Sequence, residues 1–181
     1  MTALSPAQGH ELLALARAAL RAHLRHEDRP SLTYPQEHPF QRPAGAFVTL
    51  RLDGRLRGCI GQTEAVRALA PLVAAMAVAA ATRDPRFSPV AAADLEALGL
   101  EVSVLGELVA CGVDEVVVGR DGLVVVGKER RGLLLPEVAT EQQWTAQQFV
   151  ERTAMKAGLP HDAVPGQADL YCFQTQHFSE G

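Results

Sequence analysis

The sequence predicts an α+β fold, a mainly antiparallel sheet flanked by helices. Three observations carry this. Helix-period and strand-like segments interleave along the chain, and Asp-Gly pairs stand at Asp53-Gly54 and Asp121-Gly122 between strand-like runs. Such a pair forms a tight hairpin because both turn residues adopt positive φ. Hairpins join neighbours antiparallel, which argues against a doubly wound parallel sheet. The 181 residues suit one domain, 1–181, with room for a second, smaller lobe.

Ser5-Pro6 reads as a helix start, Ser as N-cap and Pro at the first helical position. Leu12, Leu13, Ala16, Leu20 and Leu24 continue it at helical spacing to about His26. A Pro-rich loop follows to Pro43. Ala46–Leu52 and Arg55–Ile60 are the two arms of the first hairpin. With a regular two-residue turn, Val48 lies opposite Cys59 and Leu50 opposite Arg57. Cross-strand partners share a face, so Arg57 and Cys59 are expected beside aliphatics unless a bulge near Gly58 shifts the register.

Pro71 opens a helix through Thr82, which Asp84-Pro85-Arg86-Phe87-Ser88-Pro89 breaks. A short helical piece at 94–98 precedes a strand, Leu100–Leu105, with Glu101 and Ser103 on one face and Val102 and Val104 on the other. Val116–Val118 and Leu123–Val126 are expected to flank the second Asp-Gly turn. The apolar run Leu133–Leu135 ends at Pro136. Thr145 and Gln148 form a capping box that opens a helix to Ala157, with Gly158 as its C-terminal cap. Asp169–Phe178 closes the chain as a strand.

Composition narrows the function classes. The net charge of −4 and the 5% aromatic content carry no basic, aromatic-interleaved stripe, so nucleic-acid binding is not expected. The most apolar run, Ala68–Ala81, is too short for a membrane span, and the N-terminus lacks the pattern of a signal peptide. A cytoplasmic protein is therefore expected. Cys59, Cys111 and Cys172 are odd in number and far apart, which fits reduced thiols. Their spacing offers no metal site.

Four segments could carry chemistry. In Arg57-Gly58-Cys59-Ile60-Gly61 the glycines allow close approach of a ligand to the backbone. A neighbouring guanidinium favours the thiolate, so Cys59 is a candidate nucleophile; the plainer alternative is a small buried residue at a bend. No general base adjoins it in sequence, and Glu101 is the candidate catalytic carboxylate to fold beside it. Arg86, held in a loop between two prolines, suits an anionic ligand, or else a structural ion pair. A semi-buried Glu101 requires a partner, for which Arg57 and Arg86 are the candidates, and Ser103 shares its face. Gly132–Glu137 and Trp144 read as packing elements, with Glu137 the one residue among them that could be functional. His161 and His177 read as structural or solvent-facing. The candidate ligand-binding set is Arg57, Gly58, Gly61, Arg86 and Ser103.

Leu56-Arg57-Gly58-Cys59-Ile60-Gly61, Asp84–Phe87, Glu101–Leu105, Gly132–Glu137 and Lys156–Leu159 occur in that order. Together they resemble the signature of the AMMECR domain family, over nearly the whole chain. The resemblance implies a larger sheet-and-helix lobe with a smaller lobe against it, and it brings no reaction or cofactor. Prokaryotic relatives are similar to one component of a three-part gene set that includes a Memo-like protein, related to extradiol dioxygenases, and a radical SAM protein. Those two are the partners that the resemblance implies. Many such relatives carry a Cys just before the Lys-Ala-Gly-Leu run, where this chain has Thr153-Ala154-Met155. A mechanism requiring that second thiol is not expected here.

Two functions follow as expectations. One is an enzyme or ligand-binding protein whose pocket, around Cys59, takes a small anionic ligand. The other is a non-catalytic module that docks a Memo-like or radical SAM protein.

Overall fold

The computed structural model describes residues 3–180. The chain divides into two compact units. The larger runs to Val104 and resumes at Gln176; the smaller spans Leu105–Thr175.

The larger unit begins with α1 (Pro6–Arg25), whose Ser5 cap and Gln8 form the reciprocal pair of hydrogen bonds of a capping box. β1 (Ala46–Leu52) and β2 (Arg55–Gln62) make the expected hairpin, with Asp53 and Gly54 at φ 51° and 75°. α2 (Leu69–Thr82) starts two residues before Pro71, which sits in the first turn where its missing N–H costs nothing. A 3-10 turn, Ala92–Ala97, leads into β3 (Leu98–Leu105), and the strand order is β2-β1-β3.

One sheet face is core. Val48, Leu50, Leu100 and Val102 are fully buried with Leu12 and Leu20 of α1 and Leu72 of α2. Each such side chain contributes about 1.5–3 kcal/mol of burial. Arg17 closes the unit: it donates to the carbonyls of Leu95 and Leu98 at 2.7 and 2.5 Å and pairs with Glu180.

In the smaller unit β4 (Val109–Ala110) and β5 (Asp121–Val126) pair with opposite edges of β7 (Asp169–Ser179), whose last residues belong to the larger unit. β6 (Arg131–Leu134) pairs with β5. α3 (Pro136–Glu141) and α4 (Ala146–Lys156) supply Ala139, Phe149, Val150 and Ala154 to a second core. The Thr145–Gln148 capping box forms as expected, and Gly158 takes φ 72° just past the helix.

Two expectations are corrected here. Asp121-Gly122 is not a hairpin turn but the start of β5. The turn lies earlier, where Asp121 N–H donates to Val117 O at 3.0 Å and Gly119 takes φ 85°. The buried Asp121 carboxylate fixes it by accepting from Val117 N–H at 2.9 Å and pairing with Arg120. The thiols are also not all reduced. Cys111, just past β4, and Cys172 on β7 form a disulfide with Cα atoms 6.0 Å apart. Their separation of 61 residues conceals a pairing that adjacent strands create. No helix of the described residues is long and apolar enough to cross a membrane.

Candidate functional site around Cys59

Cys59 is the free cysteine among the described residues, and it is half-buried on β2. A bulge sets its orientation. Leu52 pairs with Arg55 and Arg51 with Leu56, but Leu50 then pairs with Gly58, leaving Arg57 as the extra residue. The expected register is thus shifted by one. Val48 faces Ile60, and Cys59 lies opposite Thr49. Because side chains alternate along a strand, Cys59 leaves the aliphatic core face and joins the polar one.

Thr49 is also the cross-strand partner of Glu101 on β3. Cys59, Thr49 and Glu101 therefore form one row across three strands, with roughly 10 Å between the Cα atoms of Cys59 and Glu101. The Thr49 hydroxyl donates to Cys59 Sγ at 3.2 Å. Glu101 is not paired with Arg57 or Arg86. Its Oε1 accepts from Arg51 Nε at 2.6 Å, since Arg51 projects from the same face two residues beyond Thr49. Ser103, two residues along from Glu101, lies 3.2 Å through its hydroxyl from His177 Nδ1.

The loop after α2 is bound to β2 at three points. Cys59 N–H donates to Asp84 Oδ2 at 2.8 Å. Arg57 donates to the carbonyls of Ser88 at 2.8 Å and Pro89 at 3.3 Å. The Arg57 guanidinium is thereby committed to backbone oxygens, and it positions the loop. Asp84 is buried, with its side chain 3% exposed, and it accepts two hydrogen bonds from the Arg86 guanidinium at 2.9 and 2.7 Å. Those bonds hold the Asp84 carboxyl well below the usual carboxylate range; Cys59 N–H and Arg86 N–H assist, and burial opposes. Asp84 in turn raises Arg86, with a smaller contribution from the proximity of Cys59. The outer side of Arg86 is half exposed and lies over the Phe87 ring at 5.4 Å.

The glycines framing Cys59 serve packing. A Cβ on Gly58 would stand 2.1 Å from the carbonyl oxygen of Ala80 in α2, and one on Gly61 would stand 2.2 Å from the Phe47 ring. Both are required by close approach of protein to protein.

The arrangement thus gathers Cys59, Thr49, Asp84 and Arg86 at one end of a polar sheet face, with Arg51 further along β1 and Glu101 on the neighbouring β3. It can present a sulfur that accepts a hydrogen bond near a guanidinium that is paired with Asp84 and half exposed on its other side. Thr49 and Arg51 do not stand out in the sequence, His177 reads there as structural or solvent-facing, and Asp84 enters only as part of the Asp84–Phe87 segment. Asp84 had a local signal, an Asp two residues before an Arg across a proline. Thr49 and Arg51 emerge only once the bulge is known.

The chain as a whole is similar to known proteins. A model of the AMMECR1 family matches residues 13–178. A protein of Methanothermobacter thermautotrophicus is 42% identical over 187 aligned residues, covering 98% of this chain and 96% of its own length. One of Thermofilum pendens is 38% identical, with 99% and 93% covered. The crystal structure of an uncharacterized protein from Pyrococcus horikoshii superposes with a TM-score of 0.84 at 33% identity, over 98% of this chain and 93% of that one. Family match, relatives and fold agree, and the chain belongs to the AMMECR1 family.

Proposed function

We propose that this chain is a ligand-binding protein, or an enzyme, whose site is the polar face around Cys59 and whose reactive group is the Cys59 sulfur. The observation that carries the reading is the hydrogen bond from Thr49 to Cys59 Sγ beside the Asp84–Arg86 pair. The hydroxyl fixes the direction of the sulfur, and the exposed side of the guanidinium can hold an anion beside it. The ligand is a small anion. Arg86 holds its charge, and Glu101 with Arg51 contacts it at the far end of the row. Glu101 sits too far from Cys59 to take its proton directly, so its place in the reaction is on the ligand. Gly58, Gly61 and Arg57 shape the site, and Ser103 with His177 borders it.

Native alkylation by iodoacetamide, read by mass spectrometry, tests this. One adduct on Cys59 is expected, and protection of Cys59 in the folded protein would overturn the reading. Docking of a Memo-like or radical SAM protein rests on the family resemblance. Co-purification of such a partner that survives Cys59→Ser, together with an inert Cys59, would favour docking instead. A cytoplasmic location is part of the proposal, and it requires that compartment to leave Cys111–Cys172 oxidised.

A further inference from the structure

A cavity of ≈ 680 Å³ lies between α1, α2 and the loop after α1, lined by residues that take no part in the Cys59 site. Its floor is aliphatic, made of alanines on both helices together with Val78 and Leu32. Its rim carries Arg29, Arg67 and Arg83, with His23 and His26 beside them. None of the three arginines has an ion-pair partner among the described residues. The carboxylate on the lining, Glu27, is already engaged by Arg21 at 3.2 Å.

Seventeen Lys and Arg stand against twenty-one Asp and Glu in the whole chain, so three unpaired arginines around one concavity run against its overall charge. Like charges gathered at one rim repel, and an anion seated among them removes that repulsion. Arginine, rather than lysine, suits a planar or tetrahedral oxyanion because its fork donates two parallel hydrogen bonds. The apolar floor calls for a ligand body without charge, and the volume is that of a small-molecule site.

We propose that this cavity binds a small organic phosphate, its head among Arg29, Arg67 and Arg83 and a short aliphatic body on the alanine floor. The inference is independent of the reading of Cys59.

Calorimetric titration at low salt with octyl phosphate, below its micelle range, tests it, with inorganic phosphate and octanol as controls. Octyl phosphate is expected to bind at least tenfold tighter than either control. The double variant Arg67→Ala/Arg83→Ala is expected to weaken it at least tenfold without a change in Tm, since both positions are exposed. Ala75→Glu, which puts a carboxylate on the floor, is expected to abolish binding, and Cys59→Ala to leave it unchanged. Four results would overturn the proposal. These are no octyl phosphate binding, equal binding of inorganic phosphate, indifference to the arginine variant, or loss of binding with Cys59→Ala, which would put the probe at the thiol face.

Discussion

The two units solve the same packing problems with the same two devices and differ in their sulfur chemistry. In the larger, Gly58 of β2 lets the strand meet the backbone of α2, and buried Asp84 joins a backbone N–H to the Arg86 fork. In the smaller, Gly132 of β6 lets the strand meet α4, where a Cβ would stand 2.6 Å from Thr153 O. Buried Asp121 there joins Val117 N–H to the Arg120 fork. Both carboxyls are held below the usual range by their arginine. An Asp–Arg clamp is therefore a way of fixing a loop, and by itself no sign of a site. What separates the two is the group next to it. Asp84 holds the amide of a free thiol, whereas the cysteines of the smaller unit are joined to each other.

The comparison breaks most visibly at the disulfide. Closing a loop of this length removes about 4 kcal/mol of unfolded-state entropy. Cys111→Ser is expected to lower stability in urea by that order while leaving Cys59 alkylation in the native protein unchanged. Parity between the variant and the parent protein would show that the bridge stabilises nothing. Next come the strand glycines. Gly58→Ala forces a backbone shift against Ala80 and is expected to cost about 3 kcal/mol; Gly132→Ala, with a looser contact, is expected to cost somewhat less. Denaturant midpoints rank them, and a neutral Gly58→Ala would contradict the close strand–helix contact.

Smaller again is removal of a clamp. Asp84→Ala and Asp121→Ala each leave a part-buried N–H and an arginine unpaired and are expected to cost about 1–2 kcal/mol. Only Asp84→Ala is expected to alter the rate of Cys59 alkylation. A carboxyl whose folded pKa is depressed gives stability that is present above its unfolded value and lost as pH falls toward the folded one. With an ordinary value of 3.8 for both aspartates, the protein is expected to lose stability below about pH 4. Asp84→Asn and Asp121→Asn are each expected to flatten that loss in thermal melts between pH 2 and pH 5. An unchanged slope in either would remove that clamp from the acid response.

What the sequence disclosed was local. Ser5-Pro6, Asp53-Gly54 and Thr145–Gln148 work through contacts within four residues, and each formed as expected. The sequence left a bulge near Gly58 open and could not decide it, because it accompanies hydrogen bonds of Arg57 to Ser88 and Pro89, more than thirty residues away. That single residue decides which face Cys59 occupies. Asp121-Gly122 misled for a related reason: its carboxylate turns inward to Val117 and Arg120 instead of shaping a hairpin. Glu101 needed a cation, as expected, but cross-strand placement gave it Arg51. Cys111 and Cys172 met only through the pairing of β4 with β7.

The most direct measurement is the rate of Cys59 alkylation by iodoacetamide at fixed neutral pH, in the parent protein and in Thr49→Val, Arg86→Ala and Arg120→Ala. The disulfide leaves Cys59 as the free thiol, so a single adduct reports on it. Thr49→Val and Arg86→Ala are expected to slow the reaction at least threefold, and Arg120→Ala to leave it unchanged. Equal rates in all four proteins would contradict the claim that its neighbours activate Cys59.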